Sequence, residues 1–131
     1  MKGFEFFPLT DNYMSKNILL VEDDSLLSEM YTMILQDEGF NVSHVRDGRA
    51  ALLRTLDDID LVLLDIRIPE IDGLEVLRFY REHGFKRPII VLTNSPQVNL
   101  TQALEMGADG FMIKSHSDIN DVLNVVQKHL A

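Results

Sequence analysis

The sequence has no cysteine, and positive charge is scarce in it. Without cysteine, the chain can form neither a disulfide framework nor a thiolate metal site. The chain has 12 Lys and Arg and 21 Asp and Glu, which gives it a formal net charge of −9. Nucleic-acid phosphates are bound by clustered Lys and Arg, so this balance disfavours a direct nucleic-acid surface.

Long apolar runs are missing as well. No stretch approaches the ~20 apolar residues that cross a membrane. The first residues are too polar for a signal peptide, because Glu5 and Asp11 interrupt them and no long apolar segment follows Lys2. What is present is typical of a globular protein, with 46% hydrophobic and 25% charged residues in a chain of 131. We therefore expect one cytoplasmic domain.

Residues 1–16 differ from the rest because they are rich in aromatic residues but show no helix or hairpin pattern. Chain termini are rarely held in place, so we expect residues 1–16 to be a poorly ordered extension and residues 17–131 to form the domain. The alternative is an aromatic segment that docks on a groove of its own or a neighbouring chain. Its apolar side chains are Phe4, Phe6, Phe7 and Leu9.

From Asn17 onward, strand and helix signals alternate, which predicts five β-α units. Strands are predicted at 17–22, 41–45, 60–65, 88–92 and 110–113. Continuous apolar strands are typical of a parallel sheet covered by helices on both faces. With right-handed crossovers, the prediction is an α/β, doubly wound, flavodoxin-like (βα)5 sandwich with strand order 2-1-3-4-5.

Helical periodicity marks the segments between these strands. Asp47 would cap the second helix, and Asp24 and Asp72 could also be caps, while Ser115 or Ser117 would cap the fifth. Apolar stripes are predicted on the first helix (Leu27, Met30, Tyr31, Ile34, Leu35), the fourth (Leu100, Ala103, Leu104) and the fifth (Ile119, Val122, Leu123, Val126, Leu130).

Polar side chains follow four apolar runs at the point where each strand ends. Glu22 and Asp23 follow the first strand, Asp65 ends the third, Thr93 follows the fourth and Lys114 follows the fifth. Carboxyl ends of parallel strands lie at one edge of a sheet, and ligands bind beyond that edge. A charge at the end of an apolar strand is costly unless it is used. We therefore expect these side chains to form one site.

Three clustered carboxylates repel one another and would share protons or hold a cation. Oxygen ligands without His or Cys favour a hard ion, and Mg²⁺ fits because it leaves positions for phosphate oxygens; Mn²⁺ should substitute. The alternative is that these acids are only helix caps and loop residues. A metal ion with the Lys114 ammonium and the Thr93 hydroxyl would stabilise a doubly negative group. Those groups suit phosphoryl transfer, with Asp65 as the nucleophile.

Four motifs at the strand ends together resemble the receiver domain of two-component response regulators. They are V-E-D-D at 21–24, L-L-D-I-R-I-P-E-I-D-G-L at 63–74, V-L-T at 91–93 and G-A-D-G-F-M-I-K at 107–114. The resemblance covers residues 17–130 and is to the single-domain, chemotaxis-regulator-like type. It implies a phosphoacceptor switch rather than an enzyme.

The resemblance also implies a role for each acid. Asp65 would accept a phosphoryl group from a sensor histidine kinase or a phosphotransfer protein. Glu22, Asp23 and Asp65 would bind Mg²⁺ together with the backbone carbonyl of Arg67.

Activation is implied to run through three further residues. Thr93 and Lys114 would hold the phosphoryl oxygens, and Thr93 and Phe111 would form the switch. The switch would change the surface of helix 4, strand 5 and helix 5, which would contact a downstream protein or a second copy. Neither nucleic acid nor a membrane would be a direct partner. The sequence departs from the family pattern at Asn94, where a small residue is usual, and at Ser115, where Pro is usual and often cis.

Three other interpretations remain open. The chain could be the receiver part of a larger transcription factor or hybrid kinase. A small haloacid-type phosphatase would also use an aspartyl nucleophile, but it needs a second Asp where Arg67 stands. A flavodoxin needs a Gly- and hydroxyl-rich phosphate loop where this chain has Glu22, Asp23 and Asp24.

Overall fold

The computed structural model describes residues 16–94 and 96–130, except for the side chains of residues 96–99 and 116. The predictions for residues 1–15 lie outside this part. The described strands are β1 (Asn17–Val21), β2 (Asn41–Val45), β3 (Leu61–Asp65), β4 (Ile89–Thr93) and β5 (Gly110–Ile113). The described helices are α1 (Ser25–Asp37), α2 (Gly48–Leu53), α3 (Gly73–Glu82), α4 (Pro96–Glu105) and α5 (Ile119–Leu130), and a 3₁₀ turn at Lys114–His116 follows β5.

The five strands form one parallel sheet in the order β2-β1-β3-β4-β5, as predicted. Every residue of β3 and β4 is buried, which is the pattern of strands covered on both faces. The fold is therefore the predicted flavodoxin-like (βα)5 sandwich. None of the described helices has the length and apolarity that a bilayer crossing requires.

Alternate residues of the strands enter two separate apolar layers. On one face, Tyr31 and Leu35 of α1 and Val122 and Val126 of α5 pack on the sheet. On the other face, the sheet packs against α2, α3 and α4. Burying each Leu, Ile or Val side chain contributes roughly 1.5–3 kcal/mol, so the two layers hold the central strands firmly in place. The ends of those strands, where the polar residues lie, are fixed as a consequence.

The predicted helix stripes agree with the structure in part. Tyr31 and Leu35 are buried as expected, but Met30 is 41% exposed. In α4, Ala103 is buried whereas Leu104 is 51% exposed. Successive helix residues point about 100° apart, and each helix touches the sheet along a strip narrower than its apolar stripe. Residues at the margin of a stripe therefore stay in contact with solvent.

Aspartate side chains begin three of the helices at the edge of the sheet where the polar residues lie. Each accepts a backbone N–H from the first turn, at 2.7–2.9 Å, so the predicted caps are present. They are Asp24 for α1, Asp47 for α2 and Asp72 for α3.

The predicted cap of α5 was wrong. Asp118 and Asp121 exchange reciprocal hydrogen bonds between side chain and backbone N–H, at 2.9 and 3.0 Å. This is a capping box, in which each residue satisfies the other's N–H. Ser115 lies in the 3₁₀ turn instead, and Ser117 precedes the capping box by one residue. The turn therefore moves the start of α5 beyond both serines.

Gly73 lies so close to the end of β3 that no side chain fits there. A Cβ atom at this position would be 2.4 Å from the carbonyl oxygen of Asp65 and 2.5 Å from the Cα atom of Ile66. The Gly73 N–H also donates to the carbonyl oxygen of Ile66 at 2.8 Å. Both obstacles are backbone atoms, so a larger residue would displace the strand end that carries Asp65.

Replacing Gly73 with alanine should lower the free energy of unfolding by about 1–3 kcal/mol, because the added methyl group overpacks against backbone. Urea unfolding would measure the change. Asn124→Ala, on the exposed side of α5, is the control and should stay within about 0.5 kcal/mol of wild type. A Gly73→Ala protein as stable as the control would contradict the close approach of α3 to β3.

Candidate functional site

The carboxyl ends of β1, β3 and β5 bring four charged side chains to one point. Lys114, after β5, places its Nζ atom 2.9 Å from Oε1 of Glu22 and 3.0 Å from Oδ2 of Asp65. One carboxylate oxygen from each of Glu22, Asp23 and Asp65 lies within 4.8 Å of the other two. The structure thus brings together acids and an ammonium group that are far apart in the sequence.

The cluster is buried and carries more negative than positive charge. The side chains of Glu22, Asp65 and Lys114 are 0%, 4% and 10% exposed, whereas Asp23 lies at the outer edge and is partly exposed. Three ionised carboxylates and one ammonium leave a formal charge of −2. Salt screens buried charges poorly, so this excess attracts a cation or favours protonation.

Burial raises the pKa of Glu22 from 4.5 to about 7, and the nearby charge of Asp65 adds to this rise against the opposing effect of Lys114. Burial by itself would lower the pKa of Lys114, but its contacts with the charges of Glu22 and Asp65 and its hydrogen bond to Asp65 outweigh burial, and the pKa is raised. Lys114 therefore remains a cation, and burial makes the ionisation of Glu22 costly.

One oxygen of Glu22 lacks a hydrogen bond although it is fully buried. Oε2 accepts the backbone N–H of Asp24 at 3.1 Å. Oε1 lies 2.9 Å from the ammonium of Lys114, yet no hydrogen bond of acceptable geometry reaches it among the described residues, so that contact is ionic rather than directional. The ammonium of Lys114 offsets part of the cost of burying this oxygen, and a second cation beside it would offset more.

The available ligands fit a hard divalent cation. Glu22, Asp23 and Asp65 offer only carboxylate oxygens, which Mg²⁺ prefers. They are the one group of three acids, histidines or cysteines close enough to share an ion within the described residues. With the unsatisfied Oε1 atom of Glu22, this set supports the metal interpretation over helix capping alone, while Asp24 and Asp72 serve as caps.

The carboxylate of Asp65 is held on both of its oxygens. Oδ1 accepts the backbone N–H of Arg67 at 3.1 Å, and Oδ2 accepts the ammonium of Lys114 at 3.0 Å. The Ile66 N–H donates to the carbonyl oxygen of Leu92 on β4 at 3.1 Å, which ties the end of β3 to its neighbour. Asp65 is thus positioned before any ligand arrives.

Thr93 and Phe111 lie on β4 and β5, the strands that continue the sheet beyond β3. Thr93 is fully buried at the end of β4, opposite Ile113, the residue before Lys114. Phe111 is half-buried on β5, opposite Val91, and packs against the layer under α2, α3 and α4. The strand order and register therefore place Thr93 between the ends of β3 and β5.

The two departures from the family pattern lie on the surface. Asn94 and Ser115 are exposed. Within residues 16–94 and 96–130 there is no cis peptide bond, so the bond between Lys114 and Ser115 is trans. Lys114 reaches the acids through the 3₁₀ turn that begins at its own position.

Two residues at the end of β2, not predicted from the sequence, hold the acidic loop. Nε2 of His44 lies 2.7 Å from the carbonyl oxygen of Glu22. Arg46 donates from Nη2 to the carbonyl oxygen of Asp23 at 3.0 Å and to Oγ of Ser25 at 3.1 Å. β2 neighbours β1 in the predicted strand order. Polar residues at the carboxyl end of β2 could therefore have been predicted to lie near Glu22 and Asp23.

Comparison with known families gives one match over most of the chain. The sequence profile of the response regulator receiver domain matches residues 18–127. The DNA-binding response regulator MtrA of Mycobacterium tuberculosis is 40% identical over 104 residues, which cover 77% of this chain and 45% of MtrA. The transcriptional regulatory protein CpxR of Escherichia coli is 38% identical over 102 residues, covering 77% and 44%. The chain therefore spans less than half the length of these relatives.

Solved structures agree with the fold. The BeF3-activated receiver domain of RstA from Klebsiella pneumoniae has a TM-score of 0.79 and 31% identity, covering 88% of this chain and 98% of that one. The receiver domain of the sensor histidine kinase PA1611 from Pseudomonas aeruginosa, which has a magnesium ion coordinated in its active site cleft, has a TM-score of 0.76, 28% identity and the same coverage.

Glu22 should make the metal-free protein less stable as the pH rises. Its pKa is about 7 in the folded protein and 4.5 as an ordinary Glu, so the folded state holds the proton more tightly. That stabilisation is complete below pH 4.5 and is lost as the pH rises to about 7, by roughly 1–3 kcal/mol in the free energy of unfolding. Urea unfolding in the presence of a chelator, across this window, would measure it.

The Glu22→Gln variant should have a flatter profile over the same window, because Gln does not ionise. Glu29→Gln, at an exposed position on α1, is the matched control and should keep the wild-type slope. If Glu22→Gln left the slope unchanged, the pH dependence would belong to other groups.

Proposed function

This chain belongs to the family of response regulator receiver domains, and on that basis we propose that it is a phosphorylation switch whose phosphoacceptor is Asp65. The observation that carries the proposal is the contact of the Asp65 carboxylate with the ammonium of Lys114, at 3.0 Å, beside Glu22 and Asp23. The phosphoryl donor would be a sensor histidine kinase or a phosphotransfer protein of a two-component system.

Glu22, Asp23 and Asp65 would hold Mg²⁺, with the backbone carbonyl of Arg67 as a further ligand. The unsatisfied buried oxygen of Glu22 and the oxygen-only ligand set support this assignment. When bound, the ion would neutralise charge on the carboxylates and on the incoming phosphoryl oxygens. Mn²⁺ accepts the same ligands and should substitute.

Asp65 would act as the nucleophile. One of its carboxylate oxygens would bond to phosphorus while the bond from phosphorus to the donor's imidazole nitrogen breaks, and that nitrogen keeps the electron pair. Lys114 would donate to a phosphoryl oxygen, and the hydroxyl of Thr93 would donate to another. The N–H of Arg67, 3.1 Å from Oδ1, orients the carboxylate during the attack.

Thr93 and Phe111 would transmit the change to the surface formed by α4, β5 and α5. Binding of the Thr93 hydroxyl to the phosphoryl group would favour one of two existing arrangements, and the half-buried ring of Phe111 would repack with it. Leu100 and Leu104 of α4 are 38% and 51% exposed, which offers apolar surface to a downstream protein or a second copy. The net charge of −9 favours a protein over nucleic acid as the partner.

A second candidate is that the chain is the receiver part of a longer regulator. The support is the length of its relatives, since the matched segment is 45% of MtrA and 44% of CpxR. The switch chemistry would be the same, but its output would pass to an attached domain. The length of the complete reading frame distinguishes the two candidates.

Acetyl phosphate with Mg²⁺ should add one phosphoryl group to the wild-type protein, because the small phosphodonor replaces the kinase. Asp65→Asn should take none, since the amide is not a nucleophile. Intact mass spectrometry measures both. Asp57→Asn, an exposed acid outside the acidic cluster, is the matched control and should be phosphorylated like wild type. Equal labelling of Asp65→Asn and wild type would move the phosphoacceptor elsewhere.

Asp23→Ala and Lys114→Ala should separate metal binding from the response to phosphorylation. Asp23→Ala should weaken Mg²⁺ binding by about tenfold or more, because it removes a ligand. Lys114→Ala should keep Mg²⁺ binding but lose the phosphorylation-dependent change in the NMR spectrum, because it removes the cation that holds the phosphoryl group. Unchanged Mg²⁺ affinity in Asp23→Ala would show that the metal binds elsewhere. A normal response in Lys114→Ala would show that Lys114 has no part in the switch.

A further inference from the structure

A cavity of about 390 Å³ lies around the amino ends of β3 and β4, away from the carboxyl ends that carry the acids. Its volume falls within the ~300–1,000 Å³ of ligand pockets. Its floor is apolar and aromatic, built from Leu56, Ile59, Phe79, Tyr80 and Phe85. None of these residues takes part in the proposed phosphorylation chemistry.

The floor of the cavity is held in place. The hydroxyl of Tyr80 donates to the carbonyl oxygen of Ala51 at 2.7 Å, and Tyr80 is 2% exposed. The ring of Phe79 stacks on His83, with 3.9 Å between ring centroids. The guanidinium of Arg81 lies 5.9 Å from the ring centroid of Phe85. A fixed aromatic floor favours aromatic occupants, which gain contact area at little cost in entropy.

The rim of the cavity carries the basic residues Arg54, Lys86 and Arg87 and one acid, Asp57, in a chain whose net charge is −9. Arg54 and Arg87 lie on it and are already paired, with Asp58 at 3.3 Å and Asp60 at 2.6 Å. Lys86 also lies on the rim and is exposed, and no ion pair of Lys86 occurs within the described part of the chain. The rim therefore offers an ammonium group to an acidic occupant.

The chain enters the domain beside this rim. The backbone N–H of Asn17 donates to Oδ2 of Asp60 at 2.8 Å, and its side chain donates to the carbonyl oxygen of Asp58 at 2.8 Å. The other oxygen of Asp60 binds Arg87, which lines the cavity, as does Ile59. Asn17, the first residue of β1, therefore lies next to residues that line the cavity.

We propose that residues 4–9 of the same chain bind in this cavity. Phe4, Phe6 and Phe7 supply aromatic side chains for the floor, and Glu5 supplies an acid for Lys86. Residues 10–16 form the connection and can span roughly 23–25 Å when extended. The tether also gives the segment a high effective concentration at the cavity, which favours its own chain over a separate peptide.

One competing apolar surface is a stripe on α1. Leu26, Met30 and Met33 are 66%, 41% and 63% exposed, at helical spacing. The groove beside Met33 is also lined by Glu29 and Asp37, which would repel Glu5. It has no aromatic floor among its lining residues. The cavity is therefore favoured by its aromatic floor and by Lys86, since no lysine or arginine is among the lining residues of the groove beside Met33.

Introduced cysteine pairs can test the assignment, because the full chain has no cysteine of its own. Thr10→Cys would be combined with Asp57→Cys on the cavity rim, or with Met33→Cys on the α1 stripe. With oxidised glutathione as the oxidant, the Asp57→Cys pair should close within one chain about tenfold faster than the Met33→Cys pair. Mass spectrometry and non-reducing electrophoresis would follow the closure, and a small thiol reagent would check that both positions react equally.

Equal rates, or faster closure of the Met33→Cys pair, would overturn the proposal. A disulfide between two chains instead of within one would overturn it as well, because the occupant would then be a second copy. The assay needs no phosphorylation, so its outcome is independent of the proposed role of Asp65.

The charge contact has its own test in the Thr10→Cys, Asp57→Cys protein. Lys86→Glu should slow closure by about two- to fivefold, the size expected of an exposed ion pair, and adding Glu5→Lys should restore the rate. Lys128→Glu, an exposed lysine on α5, is the matched control and should leave the rate unchanged. Equal slowing by Lys86→Glu and Lys128→Glu, or no rescue by Glu5→Lys, would overturn the pairing of Glu5 with Lys86.

Discussion

The ammonium of Lys114, 2.9 Å from Glu22 and 3.0 Å from Asp65, allows two acids to be buried at the ends of apolar strands. Without a cation beside them, two buried carboxylates would be strongly destabilising or would protonate. One ammonium cannot neutralise three carboxylates, so the site keeps a net negative charge that favours the binding of a divalent cation. Lys114 follows β5 directly, and the register of β4 with β5 places Thr93 opposite Ile113, the residue before Lys114.

Residue type and strand order were enough to predict which charged groups meet. Apolar runs ending in Glu22, Asp65, Thr93 and Lys114 indicated parallel strands, and the carboxyl ends of parallel strands share an edge. The geometry of the contacts was beyond such reasoning. That Oε1 of Glu22 lacks a hydrogen bond, for example, depends on angles that no spacing encodes.

Other features escaped prediction because they depend on packing between elements. His44 and Arg46 bind backbone carbonyls of the acidic loop, a role that periodicity within β2 does not mark. The exposure of Met30 reflects how narrowly α1 touches the sheet rather than its own hydrophobicity. α5 is capped by Asp118 rather than by a serine, because a 3₁₀ turn occupies Lys114–His116 and the helix starts later than predicted. In each case a neighbouring segment overrode a local signal.

The strand order leaves β2 and β5 at the two margins of the sheet, each bonded to a single neighbour. Unpaired backbone groups on such margins can recruit strands from other molecules, which is a route to aggregation. Here β5 is only four residues long, and three of the five residues of β2 are polar, namely Asn41, Ser43 and His44. Short or polar margins are poor templates for strand addition. Both margins of this sheet therefore resist the growth of a sheet between molecules.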